Sequence, residues 1–283
     1  MVMKKAIINS DAKIIISTRY SFSKILNKYG RSEAIKIHQE HTYNVNTKYI
    51  KKLNNLTNMN YIMPVSKALL KNYTGKVNIK MKYIPLALNY LPTKEQISSL
   101  KTNNLISVGR LEEEKAMDEL IYLMNDLIKK DKTIFLNIFG DGSNKEKINN
   151  LISEFKLENN IKLWGFQPQE KIREIMTQSS LYLMTSKEES FGLVLIEAMS
   201  FGVPCIAYSS AEGAKEIINS NIGYLIENRD REKYVEQAYN YLKLPLKEKK
   251  EMGTKAIKTT QIYQFSNVKE EWLKFIGEMY DKQ

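Results

Sequence analysis

The chain has one cysteine in 283 residues, Cys205, which leaves no partner for an internal disulfide. It falls in an apolar stretch read as a buried strand, so a packed thiol is expected there and redox chemistry is not suggested. No run approaches the ~20 consecutive apolar residues of a membrane span. Residues Met1 to Ser10 lack the apolar core and cleavage site of a signal peptide, and the chain therefore reads as cytoplasmic. No D-x-D pair marks a metal site. No recognised nucleic-acid motif occurs, and the basic residues are not interleaved with stacking aromatics, which argues against a nucleic-acid partner.

What is present is enough apolar material for a sizeable core, 43% of residues, and enough length for two ordinary domains. The net charge of +11 is unevenly spread. The first 100 residues hold 17 Lys and Arg against 4 Asp and Glu, and the remainder is close to neutral. Such a basic block suits an anionic membrane surface, a lipid pyrophosphate or another polyanion. An unselected solvated face is the plain alternative, because Lys, Asn and Ile are abundant throughout.

The most informative stretch runs from Ser186 to Tyr208, S-K-E-E-S-F-G-L-V-L-I-E-A-M-S-F-G-V-P-C-I-A-Y. Leu181 to Met184 and Pro204 to Tyr208 read as strands, with a helix from Gly192 to Phe201 between them. The first amides of that helix, at Phe191, Gly192 and Leu193, lack carbonyl partners within the helix and sit at the positive end of its dipole. An anion should dock there. Glu189 lies on the loop before the helix and Glu197 about a turn and a half into it, so a ligand with phosphate between two hydroxyl-bearing ends would meet a carboxylate at each. A sugar nucleotide has that layout. Most Glu- and Ser-rich helix entries merely offset a dipole and bind nothing, and the spacing alone does not decide between the two.

Strands and helices alternate along the rest of the chain, which predicts parallel sheets with helices packed outside them. In the first 100 residues strands are expected at 12–17, 34–38, 61–65 and 77–84, and His41 follows the second. Residues 86–104 are more polar and read as an interdomain linker. Beyond it the strand 105–108 leads through Gly109-Arg110-Leu-Glu-Glu-Glu-Lys115 into a helix from Met117. Loops at the carboxyl edge of a parallel sheet are where ligands of open α/β folds bind, so Arg110 and Lys115 could neutralise a diphosphate. On their own, beside three Glu residues, they would more often be surface ion pairs. Trp164-Gly165-Phe166 ends a further strand. Helices close the chain, the last carrying Trp272, Phe275 and Ile276 on one face.

The segment E-S-F-G-L-V-L-I-E-A-M-S-F-G-V-P resembles the signature of the retaining glycosyltransferases of family 4, the group 1 glycosyl transferases of bacterial surface-polysaccharide type. V-G-R-L-E-E-E-K resembles the same family's diphosphate-binding loop, with Ala116 where the family usually has Gly. The resemblance implies an α/β GT-B fold of two Rossmann-like parallel-sheet domains facing a cleft. Residues 1–100 would form a partial, acceptor-side N-terminal domain, 101–262 the nucleotide-sugar domain, and 263–283 a helix packing back on the first. It further implies transfer of a sugar from a nucleotide sugar, UDP-linked by expectation, to a glycan or lipid-linked acceptor with retention. Arg110 and Lys115 would hold the diphosphate, Glu189 the sugar hydroxyls near the anomeric carbon, and Glu197 the ribose. Gly165 and Phe166 would lie against the nucleobase, and His41 would contact donor sugar or acceptor. No metal or other cofactor is implied, since cations and helix amides would stabilise the leaving group.

The family usually carries a glycine-rich loop ahead of this region, and no G-G or G-x-G precedes His41. An incomplete first domain is accordingly expected, whether the sequence is a fragment, the gene is truncated or a second chain completes the domain, and a non-catalytic or partner-dependent nucleotide-sugar-binding subunit is the alternative reading. A glycosidase would also use two carboxylates, but the phosphate-binding features argue against it.

Overall fold

The computed structural model describes residues 2–280. Met1 and the last three residues of the segment read as 263–283 lie outside the described residues. The chain divides into two compact units, residues 1–86 with 268–283, and residues 87–267.

The first unit contains α1 (Val2–Ile8), β1 (Ile14–Ser17), α2 (Tyr20–Tyr29), β2 (Ile35–Glu40), α3 (Thr47–Asn54), β3 (Tyr61–Pro64) and α4 (Lys67–Tyr73). Its strands form a parallel sheet in the order β1-β2-β3. Two helix starts are fixed by side chains that accept an otherwise unpaired amide. Asn46 Oδ1 takes Tyr49 N–H at 2.7 Å, and Ser66 Oγ takes Leu69 N–H at 3.2 Å. The expected strand at 77–84 does not form. Among the described residues the segment makes one isolated bridge, where Ile62 accepts from Lys82 N and donates to Lys80 O, and Pro85 beyond it has no amide to donate.

The second unit contains β4 (Asn104–Val108), α5 (Met117–Lys130), β5 (Phe135–Phe139), α6 (Lys145–Glu154), β6 (Ile161–Leu163), α7 (Gln169–Met176), β7 (Leu181–Met184), α8 (Leu193–Ser200), β8 (Cys205–Tyr208), α9 (Glu212–Ile217), β9 (Gly223–Ile226), α10 (Arg231–Lys243) and α11 (Leu246–Thr260). All six strands are parallel, in the order β6-β5-β4-β7-β8-β9. β7 and β8 are buried along their whole length, LYLM and CIAY, the continuous apolar runs that a sheet covered on both faces requires. Leu120, Leu123, Met124 and Leu127 of α5 pack with Leu105, Leu136 and Ile138 in its core. Each such side chain, fully buried, stabilises the fold by about 1.5–3 kcal/mol.

The unit begins at Ala87, so residues 87–104 are part of it and not a free linker. Tyr90 stacks on Phe201, and Ser98 Oγ donates to Ser179 O at 2.6 Å. A last helix, α12 (Phe265–Tyr280), contributes residues from Val268 onward to the first unit, where Phe275 meets Tyr61 edge-on. Among the described residues no helix is long and apolar enough to cross a membrane.

Candidate functional site

In the six-stranded sheet the chain moves outward in one direction from β4 to β6, then returns to pair β7 with β4 and moves outward in the other. The loops leaving β4 and β7 therefore diverge at the carboxyl edge and leave a crevice, the usual ligand position in open α/β sheets. Lys115 comes from the first loop and Glu189 from the second. Lys115 Nζ donates to Glu189 Oε2 at 2.5 Å, with the side chains 19% and 16% exposed. Three further contacts lash the loops together. Thr185 Oγ donates to Lys115 O at 3.2 Å, Lys187 N to Glu114 O at 2.8 Å, and Lys187 Nζ pairs with Glu113 at 3.3 Å.

Backbone packing sets this edge. Gly140 leaves β5 at φ +138°, and a Cβ there would sit 1.8 Å from Gly109 O, so only glycine lets the β5 exit lie against the β4 exit. On the other side Gly213 N donates to Glu189 O at 2.8 Å, and a Cβ on Gly213 would fall 2.6 Å from the Phe191 backbone. This close approach holds the loop that carries Glu189. Gly192, at φ +89°, is the residue from which α8 starts. Among the described residues no acceptor pairs with the Gly192 or Leu193 amide, which leaves both at the dipole's positive end beside the Lys115–Glu189 pair.

Arg110 is not part of that pair. Its guanidinium, 68% exposed, bonds Glu114, one turn along the same loop. Glu197 also lies apart, facing α7 from the second turn of α8. It lines a cavity of about 110 Å³ with Tyr90, Gln169, Arg173 and Ser200, and Arg173 lies over the Tyr90 ring at 4.0 Å. Burial pushes the Glu197 carboxyl above its ordinary value, and Arg173 opposes this only in part. Gly165 accepts from Gly140 N at 2.9 Å at the same edge, and Phe166 beside it is 82% exposed. The ring of Trp164 is instead stacked on Phe139 and donates to Asn137. His41 belongs to the first unit, on the turn after β2. It is exposed and bonds Gln39 Oε1 at 3.1 Å. Neighbouring protein atoms and His38 lower its pKa, against Glu40, which raises it.

Sequence reasoning missed Arg229. It sits in a turn where both Asn228 and Arg229 have positive φ, and it aims back at the edge. It donates to Ser186 O at 3.1 Å, Thr185 O at 2.8 Å, Ser210 Oγ at 2.9 Å and Glu119 at 2.5 Å, joining the Glu189 loop to α5 and to the β8 exit. In sequence, the one hint is Asn228 beside it, a residue type that tolerates the left-handed region. Among the described residues no three His, Cys, Asp or Glu side chains gather in a group that could hold a metal ion.

Known proteins share this architecture. A point mutant of S. aureus TarM, in a complex with fondaparinux, alpha-GlcNAc-glycerol and UDP, superposes with a TM-score of 0.84 at 22% identity, over 96% of this chain and 57% of that one. The GtfA subunit of a UDP-N-acetylglucosamine:peptide N-acetylglucosaminyltransferase from Streptococcus agalactiae is 28% identical over 260 residues, 84% of this chain and 50% of the relative. The amylovoran biosynthesis glycosyltransferase AmsD of Erwinia amylovora is 29% identical over 174 residues, 59% and 48% of the two chains. The chain thus spans about half the length of these curated relatives. Its parallel α/β units have the GT-B fold. The family profile described as Glycosyl transferases group 1 matches residues 93–259, more than half of the chain, and the protein belongs to that family.

Proposed function

We propose that the protein moves a sugar from a UDP-sugar to a glycan or lipid-linked acceptor, with retention at the anomeric carbon, in bacterial polysaccharide or glycoconjugate synthesis. The observation that carries this reading is the Lys115–Glu189 pair at the strand-order reversal, 2.5 Å apart and next to the free amides that open α8. A diphosphate entering there takes Lys115 and the Gly192 and Leu193 amides, and Arg110 leaves the exposed Glu114 to join them. Phe191 backs the site from the core. Glu189, released from Lys115, accepts sugar hydroxyls. Glu197 accepts from the ribose, while Gly165 and the exposed Phe166 flank the base. His41 meets donor sugar or acceptor. Departure of the diphosphate relies on these cations and amides, with no metal or other cofactor. The UDP bound to TarM and the names of the GtfA and AmsD relatives support the donor and the pathway class.

Calorimetry with UDP and uridine tests the reading. Lys115→Ala should weaken UDP binding about tenfold or more, the loss of one charge-assisted contact, and uridine binding far less. Equal losses for both ligands would overturn the diphosphate assignment.

A second reading is favoured by the Streptococcus agalactiae relative, which is named a subunit. This chain would then bind the nucleotide sugar but transfer it only with a second chain completing the first domain. Donor hydrolysis by the isolated chain, absent despite UDP binding, distinguishes the two. The charge excess of residues 1–100 suits peripheral contact with an anionic membrane face by a cytoplasmic protein.

A further inference from the structure

The carboxyl end of β2 carries a buried polar chain that the proposed function does not use. His38 and Glu40, two residues apart, share one face of the strand, and both are buried. His38 Nδ1 lies 2.7 Å from Ser23 Oγ of α2, and Ser23 Oγ lies 2.6 Å from Ser17 Oγ at the end of β1. On the other side His38 Nε2 lies 3.1 Å from Glu40 Oε2, which also accepts the Tyr49 hydroxyl of α3. The remaining carboxylate oxygen, Oε1, accepts Thr42 N–H at 2.8 Å. The order Ser, His, Glu suggests a nucleophile, but Ser23 is fully buried, with Arg19 O 3.2 Å from its Oγ, so no substrate reaches it.

Every other link points into the core, whereas the Thr42 amide belongs to the exposed turn next to His41. We propose that Glu40 is a positioning residue for His41: it clamps the Thr42 amide and fixes His38 and Tyr49 beneath, so that the β2–α3 turn presents the His41 ring in one orientation. This rests on the reading of His41 given above. An ionised carboxylate only accepts, so His38 must carry its proton on Nε2, and Ser23 then donates to Nδ1. The anchor is thereby defined to the level of a tautomer. His41 itself bonds Gln39 Oε1, an acceptor, which leaves Nδ1 of the neutral ring free to accept from a hydroxyl. The groups that face the anchor are His38 and His41 from its own strand and turn, Tyr49 from α3, and Tyr73 from α4, whose hydroxyl is taken by Asn44 O at 2.9 Å.

The chain has only two histidines, so both imidazoles can be followed by nitrogen-detected NMR on the full chain, with His41→Gln giving the assignment. Glu40→Gln is the variant of choice because it keeps shape and an acceptor for Thr42. Its amide donates towards His38, so the His38 signal should change from Nε2-protonated to Nε2-unprotonated. The Thr42 amide should exchange with solvent about tenfold faster or more as a charge-assisted bond becomes a neutral one. The His41 titration midpoint should fall, since the carboxylate that favours its charged form is gone. Tyr49→Phe keeps the carboxylate, so His38 should stay Nε2-protonated and the His41 midpoint should not fall. UDP affinity should match wild type, because Lys115 and Glu189 belong to the other sheet. An unchanged His41 midpoint and Thr42 exchange rate in Glu40→Gln overturns the positioning role. Loss of UDP affinity in Glu40→Gln overturns it too, by showing a global effect. A wild-type chain that binds no UDP overturns the proposed function alone, and the NMR signals still decide the role of Glu40.

Discussion

Each unit ends its parallel sheet in a carboxyl edge rich in polar side chains, and the two edges treat those side chains in opposite ways. In the first unit Ser17, Ser23, His38 and Glu40 are buried and spend their hydrogen bonds on one another and on Tyr49 and Thr42. In the second, Lys115 and Glu189 are partly open to solvent, Arg110 is mostly so, and their partners are charged groups that another anion could replace. A buried polar network rigidifies once it is fully satisfied. An ion pair that is mostly buried but keeps contact with solvent adds little net stability while both partners are present, and an entering anion can take one of them over. The first edge is thus built to hold shape and the second to change partners.

The sharpest way to break the contrast is to remove one carboxylate from each edge. Glu40→Ala strands the buried His38 donor, the partly buried Tyr49 hydroxyl and the Thr42 amide of the exposed turn, and should lower unfolding stability by about 3 kcal/mol. Glu189→Ala should cost less than that, about 1–2 kcal/mol, since Lys115 is close enough to the surface to turn to water. Urea denaturation followed by circular dichroism reads both. Comparable losses would show that the second edge is as structural as the first.

A smaller effect is expected at Ala116, the residue that starts α5. It holds φ +47° and ψ +41°, the left-handed region that costs an L-residue about 1–2 kcal/mol. Ala116→Gly removes that strain but loosens the unfolded chain, so the net gain should be about 1 kcal/mol or less. Thermal unfolding checks it, and a lower midpoint would show that the Ala116 methyl, which is buried, matters more through packing.

These sites differ in how far the sequence exposed them. The β7–α8–β8 segment was legible because its apolar runs and its Gly192 and Pro204 punctuation are local. Lys115 and Glu189 were each identifiable, but their pairing spans 74 residues and depends on which strand lies beside β4. Arg110 bonds Glu114, four residues along its own loop, the surface ion pair that its acidic neighbours made readable in sequence. His38 and Glu40 had a readable signal, two polar residues at strand spacing. His41 drew attention instead, since period-two patterning does not reveal that Ser23 and Tyr49 arrive from two helices to satisfy them. The 77–84 segment failed for a related reason. Its alternation suits a strand, but a strand needs a neighbour along its length, and among the described residues the segment makes one isolated bridge, to Ile62.

Glu197 tests the contrast most finely, because it is the candidate-site acid whose burial raises its pKa. Its folded pKa is raised above the ordinary 4.5, so between those two values the folded state binds more protons than the unfolded. Stability must then fall as pH rises through that window, and at neutral pH the ionised side chain is a standing cost that Arg173 only partly offsets. Glu197→Gln should therefore raise the thermal midpoint slightly at pH 7, and the gain should vanish below the ordinary carboxylate value, where both forms are neutral. The same substitution should weaken UDP binding, because an amide accepts ribose hydroxyls less well than a carboxylate. A residue kept at a cost to the free fold and repaid by ligand is what an exchangeable edge predicts. A variant that is less stable at pH 7 would place Glu197 with the Glu40 network, among the acids that hold shape.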